Sequence, residues 1–248
     1  CASSAIAIGE AFRRVRSGEA AVMVSGGSDV PQAYAVVRAW EALRVLAPGD
    51  AESAPMACRP FAADRRGLVL GEGGAALVLE DWDHALARGA RIHGEIIGYG
   101  TTCDHTHLVR PEVAGQTRAL AATLADAGLA PADIDYVNAH GTATAEGDPV
   151  EIAALAAVFG GRAAQLPVSA TKSMHGHAIG ATGALEAIAC VQALREGLLP
   201  PTLGFEAADP DCPLDVVTGV ARAVRVEAVL SNAFAFGGLN AVLAFRRA

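Results

Sequence analysis

Aromatic residues are scarce, making up 5% of the 248 residues, so the 52% hydrophobic content rests largely on Ala, beside 27 glycines. Side chains this small suit helices packed closely on a sheet. No apolar run reaches membrane-spanning length without a charge or a glycine, so no membrane partner is expected. No basic start followed by an apolar stretch and a cleavage site is present, as a secretory signal would require. Positive charge is in deficit: 19 Lys and Arg against 27 Asp and Glu give a net charge of −8, which argues against nucleic acid as a partner. Cysteines are few and unpaired in pattern. Cys1, Cys58, Cys103, Cys190 and Cys212 form an odd set with no CxxC spacing, which predicts reduced thiols and a cytoplasmic setting.

What is present alternates between strand and helix. Ala5, Ile6, Ile8, Ala11, Phe12 and Val15 fall at helical spacing, with Arg13, Arg14 and Arg16 opposite. Residues 20–29 predict a short buried strand ending in a Gly-rich turn. A helix is expected over 33–46, a loop over 48–60, and strand, Gly turn and strand over 67–80. A short helix over 81–88, a strand near 91–102 and a helix over 113–127 capped by Gly128 follow. Two short strands, 134–140 and 166–169, each deliver a polar loop and then a helix. Two strands around a Gly turn end the chain. The alternation predicts an α/β sheet covered by helices, with chemistry gathered where strands end and helices begin. No linker divides the chain.

Four segments hold the reactive residues. Cys1 stands at the start of a helix, where the dipole and backbone N–H groups favour thiolate, and Ser3 and Ser4 are expected to cap that turn; a small buried thiol is the plain alternative. In NAHGTATAEGDPVE, His140 follows a strand directly. Asp148, Pro149 and Glu151 read as a helix start, which gives both carboxylates a structural role. In SATKSMHGH, Lys172, His175 and His177 form a polar focus. Glu186, in an apolar helix, needs a partner, for which Lys172 is the candidate. His105, His107, His175 and His177 come without an HExxH or a Cys/His quartet, so no metal is expected. In SNAFAFGGLN the turn at Phe236, Gly237 and Gly238 offers N–H groups to an anion or a carbonyl oxygen; alone it reads as a glycine hairpin.

Taken in order, CASSA, NAHGTATAEGDPVE, SATKSMHGHAIGATGALE and SNAFAFGGLN resemble signature segments of the β-ketoacyl-acyl-carrier-protein synthases of the thiolase superfamily, and RPFAADRRGLVLGEGGAALVLE resembles a fifth. The resemblance runs along nearly the whole chain. It implies a thiolase-like fold of two stacked halves in an α/β/α/β/α core. Residues 1–90 would be the remainder of the first half and 91–248 the complete second half. Cys1 matches the nucleophile, His140 and His177 the active-site histidines, Lys172 the family lysine and Glu186 its associated glutamate. Phe236 matches the residue that gates the acyl channel and lends its N–H to the oxyanion hole. Thr142 and Thr144 match threonines that contact the pantetheine arm, and Phe234, Gly237 and Gly238 join them as substrate-binding positions. Asp148 and Glu151 are supporting residues.

The implied reaction joins an acyl group on Cys1 to malonyl-acyl carrier protein with loss of CO2, in fatty acid or polyketide synthesis. Acyl carrier protein is the implied partner, homodimerisation is implied, and the phosphopantetheine of the carrier removes any need for a separate cofactor. Arg38, Arg44, Arg65 and Arg66 are candidates to meet an acidic carrier. The final motif has none of the second cysteine that a thiolase needs as base, so decarboxylative condensation is favoured over thiolysis. Leu239 and Ala63 depart from common family residues, and neither removes a catalytic group. Two alternatives remain. A chain-length-factor-like subunit resembles the family but lacks the nucleophile. An autoprocessed hydrolase or transferase using the α-amine of an N-terminal Cys as its base conflicts with CASSA, which is internal in the family. The abrupt start at Cys1 predicts a portion of a longer polypeptide.

Overall fold

The structure, a computed structural model, describes residues 1–248. Helix α1 (Ser3–Arg16) turns Ala5, Ile8, Phe12 and Val15 inward, while Arg13, Arg14 and Arg16 complement the negative end of its dipole. Neither Ser3 nor Ser4 caps it, contrary to expectation. Ser4 Oγ instead accepts from Ala184 N at 2.9 Å, 180 residues along the chain. A local capping signal has been taken over by a long-range contact.

Strand β1 (Val22–Asp29), helix α2 (Tyr34–Ala42), strand β2 (Gly73–Glu80) and helix α3 (Trp82–Ala87) follow. β1 and β2 pair only with each other, antiparallel. The apolar composition of β1 predicts a buried strand, yet Val24 is 70% and its neighbour Val78 66% exposed. Composition says that a face wants cover, and no helix of this chain lies over that face. The helix expected over 33–46 stops at Ala42. The stretch expected as a strand before Gly73 makes only single bridges, Leu46 to Leu68 and Leu70 to His177.

The rest of the chain holds β3 (Glu95–Cys103), α4 (Val113–Ala127), β4 (Tyr136–Asn138), α5 (Gly147–Phe159), β5 (Pro167–Ser169), α6 (Lys172–His175) and α7 (Thr182–Glu196). Then come β6 (Leu198–Leu199), β7 (Asp215–Val216), β8 (Arg222–Ala223), β9 (Ala228–Ala235) and β10 (Leu239–Arg246). Six strands form one sheet in the order β3-β10-β9-β4-β5-β7. β3, β10 and β9 run antiparallel to their neighbours, and β9, β4, β5 and β7 are parallel. β6 and β8 pair apart from it.

The alternation along β10 divides the interior in two. Ala241, Leu243 and Phe245 face a core shared with α1 and α7, and Val242 and Ala244 face a core shared with α4 and α5. The layers therefore run β1–β2, then α1 with α7, then the six-stranded sheet, then α4 with α5. The small residues permit this spacing. A Cβ at Gly9 would lie 2.4 Å from the Tyr99 ring, and one at Gly183 would lie 2.8 Å from Ala5 N. No helix is long and apolar enough to cross a membrane.

Candidate active site

A cavity of about 370 Å³ gathers Cys1, His140, His177, Phe234 and Phe236 from separate segments. Cys1 precedes α1, His140 follows β4, His177 lies between α6 and α7, and the two phenylalanines stand at the end of β9. The His140 and His177 rings meet edge to face at 5.5 Å, and Phe234 packs 6.0 Å from His140. Burial first, and the nearby Lys172 cation second, hold both imidazoles well below their ordinary range. Each is neutral near pH 7. His177 Nδ1 lies 3.0 Å from Thr182 Oγ1, whereas its buried Nε2 has no partner within the protein.

Asp148 and Glu151 are structural, but not as helix caps. α5 has no side-chain cap. Both carboxylates reach back instead to hold the backbone beside the cavity. Glu151 accepts from His140 N at 2.8 Å, Gly141 N at 2.7 Å and Asn232 Nδ2 at 3.0 Å. Asp148 accepts from Phe61 N at 2.8 Å and Ala143 N at 3.0 Å. Phe61 (φ 65°) and Ala143 (φ 64°) both sit in the left-handed region, which costs a side-chain-bearing residue roughly 1–2 kcal/mol. One carboxylate thus fixes two strained residues 82 positions apart (143 − 61). Burial pushes Asp148 up to about 7, while the Phe61 N–H pulls the other way. Thr142 and Thr144 share a hydrogen bond of 3.0 Å on the cavity wall.

Lys172 is the only lysine in the sequence, and it is fully buried. Its Nζ lies 2.6 Å from Glu186 Oε1 on α7, and Glu186 is also fully buried. Burial raises the Glu186 carboxyl to about 7 against the pull of the lysine. Neither side chain reaches the cavity wall, so this pair acts on the site through its field and by joining α6 to α7.

Phe236 opens the turn between β9 and β10. Gly237 (φ 80°) and Gly238 (φ 72°) both need left-handed backbone, and a Cβ at Gly238 would lie 2.4 Å from Asp104 Cβ. The turn is tethered by Gly237 N to Leu108 O at 2.6 Å and by Asp104 N to Gly238 O at 2.9 Å. The Phe236 ring stacks on Trp40 of α2 at 5.5 Å and 27°.

Trp40, Asn232, Asp104 and Thr182 escaped the sequence reading. Asn232 and Thr182 lie inside quoted motifs, whereas the approach of Trp40 to Phe236 leaves no local trace. Arg65, one of the arginines expected to meet an acidic carrier, is not free to do so. Its side chain is 8% exposed and is held by Asp209, Thr144 O and Ala62 O. Arg44 and Arg66 remain on the cavity wall.

Residues 1–85 match the family model for the β-ketoacyl synthase N-terminal domain, and residues 93–206 match that for the β-ketoacyl synthase C-terminal domain. The chain is 53% identical over 247 residues to nodulation protein E of Rhizobium sp. (strain N33). It is 45% identical over 253 residues to 3-oxoacyl-[acyl-carrier-protein] synthase 2 of Synechocystis sp.. All of this chain is covered in both matches, but it spans only 60% of either relative. Among solved structures, a type II polyketide synthase acyl-carrier protein in complex with its ketosynthase superposes with a TM-score of 0.97 at 32% identity, covering 100% of this chain and 61% of that one. The two family models, consecutive along 1–85 and 93–206, together with this fold and this cavity, place the chain in the β-ketoacyl synthase family.

Proposed function

We propose that the protein containing this chain carries out decarboxylative Claisen condensation on acyl carrier protein, with Cys1 as the nucleophile. The observation that carries this reading is the convergence of the Cys1 thiol and two neutral imidazoles on one cavity. Cys1 sulfur attacks the carbonyl of an acyl thioester, and the bond to the carrier's phosphopantetheine sulfur breaks, leaving the acyl group on Cys1. Malonyl-carrier then enters. Its carbon–carboxylate bond breaks, CO2 leaves, and the electron pair passes into the thioester as an enolate, whose oxygen takes hydrogen bonds from His140 and His177. The carbanion attacks the acyl carbonyl on Cys1, and the N–H groups of Cys1 and Phe236 hold the resulting oxyanion. Collapse expels the Cys1 thiolate and releases 3-oxoacyl-carrier. Neutral imidazoles suit this role, because they donate to an enolate without protonating it outright.

Arg44 and Arg66 would receive the acidic carrier, with Thr142 and Thr144 along its pantetheine arm. The printed description of the solved ketosynthase–carrier complex supports that partner, and the homodimer and the cytoplasmic setting belong to the same proposal. A chain-length-factor-like role is disfavoured by Cys1 and both histidines on one cavity. The test is intact mass of the full-length protein after incubation with acyl-carrier. A single acyl adduct, lost in Cys1→Ala and discharged as 3-oxoacyl-carrier by malonyl-carrier, is the expected result. Absence of the adduct in the unmodified protein would sink the proposal.

A further inference from the structure

Neutral His177 carries one ring proton, and its chemistry depends on which nitrogen holds it. The surroundings of the ring decide this. Its backbone is fixed on both sides, with His177 N donating to Val69 O at 2.7 Å and His177 O accepting from Gly71 N at 2.9 Å. Of the ring atoms, only Nδ1 has a protein partner, the Thr182 hydroxyl at 3.0 Å. Thr182 is 1% exposed at the first position of α7, and Oγ1 makes no other hydrogen bond. Two arrangements are open. If Nδ1–H donated to Oγ1, the hydroxyl hydrogen would be buried without an acceptor, the costlier kind of unmet group. If the hydroxyl donates to Nδ1, its hydrogen is satisfied and the ring proton sits on Nε2. Nε2 is the buried ring atom without a protein partner, on a residue that lines the cavity.

We infer that Thr182 is a positioning residue, its hydroxyl donating to His177 Nδ1 and so fixing the ring proton on Nε2, where it serves as a hydrogen-bond donor to the substrate. The inference rests on the ketosynthase reading for the identity of the acceptor, the thioester oxygen that becomes an enolate. It also assigns a division of labour. A ring whose Nδ1 is occupied by a hydroxyl and whose Nε2 bears the proton has no free lone pair, so His177 does not deprotonate Cys1.

The experiment uses the full-length protein with ring-¹⁵N histidine, with His177→Gln to assign the signals, and Thr182→Val and Thr182→Ser as variants. Wild type is expected to show a protonated Nε2 and a bare Nδ1 at His177. Thr182→Val keeps the shape without the hydroxyl and should show a mixture of tautomers. Thr182→Ser should restore the wild-type pattern. The kcat for malonyl-carrier decarboxylation should fall roughly fivefold in Thr182→Val, with KM little changed, and recover in Thr182→Ser; the size follows from one neutral hydrogen bond. A proton on Nδ1 in wild type overturns the inference, and so does a Thr182→Val spectrum identical to wild type. The wild-type spectrum decides even if Thr182→Val does not fold. The expected tautomer in a protein that never decarboxylates malonyl-carrier would support the Thr182 assignment and refute the ketosynthase reading instead.

Discussion

Replacing Lys172 by Met removes the cation facing Glu186 and leaves an unbranched chain of similar length. In the native protein Lys172 Nζ and Glu186 Oε1 are 2.6 Å apart and fully buried, and Glu186 Oε2 has no partner. Even with the lysine present, burial lifts the Glu186 carboxyl from its ordinary 4.5 to about 7. A raised carboxyl pKa means that the folded protein holds a proton the unfolded chain releases. Stability therefore falls as pH rises from about 4.5 through 7, by about 1.4 kcal/mol per unit for this one group. Without Lys172 the folded value climbs above 7 and the loss continues to higher pH.

At pH 8 that extension adds about 1 kcal/mol to the roughly 2 kcal/mol of a lost charge-assisted hydrogen bond. The total, about 3 kcal/mol, lies at the lower edge of the range for breaking a buried pair. At pH 5 Glu186 is protonated in both proteins, and only the hydrogen-bond part remains. Urea titration of the full-length protein at pH 5 and pH 8, followed by tryptophan fluorescence, reads both numbers. The double variant Lys172→Met with Glu186→Leu should recover most of the loss and its extra pH dependence. A Lys172→Met protein within 1 kcal/mol of wild type at pH 8, or one whose deficit does not shrink at pH 5, would refute the reasoning.

Asp148→Ala orphans the N–H groups of Phe61 and Ala143 and frees two left-handed residues. It should cost about 3 kcal/mol in a urea titration and, on the proposed function, also raise KM for a carrier-bound substrate, because Thr142 and Thr144 flank Ala143. Gly9→Ala drives a methyl group into the Tyr99 ring, which lies beneath the Arg13 guanidinium at 4.5 Å. It should lose about 2–3 kcal/mol, visible as a lower urea midpoint, and Tyr99→Ala in the same background should not add its full cost.

Local chemistry announced the elements that carry local signals. α1 showed its apolar stripe, α4 its Gly128 stop, and β9 and β10 their near-continuous apolar runs around paired glycines. The motif loops were legible as loops because each follows a short strand. What stayed hidden was the partner of each polar group. Asp148 before a helix has the same sequence signature whether it caps that helix or reaches 87 residues back to Phe61. Ser4 likewise looks like a cap until α7 arrives to take it. Trp40 meets Phe236 across 196 positions (236 − 40), a contact that no spacing rule encodes. β1 erred in the other direction: its composition is that of a covered strand, and cover depends on what lies above it.

The layering of α1 between two sheets has a consequence for the order of events during synthesis. α1 packs on β1, which follows it directly, but also on α7 and β10, and Ser4 finds its partner only at residue 184. Contacts this distant along the chain are closed late and slowly. The thiol at Cys1 therefore meets His140, His177 and the Phe236 turn only after segments up to 235 residues (236 − 1) further along the chain have been made. Until then a nascent chain carries the Cys1 thiol without the imidazoles and backbone donors that surround it in the folded cavity.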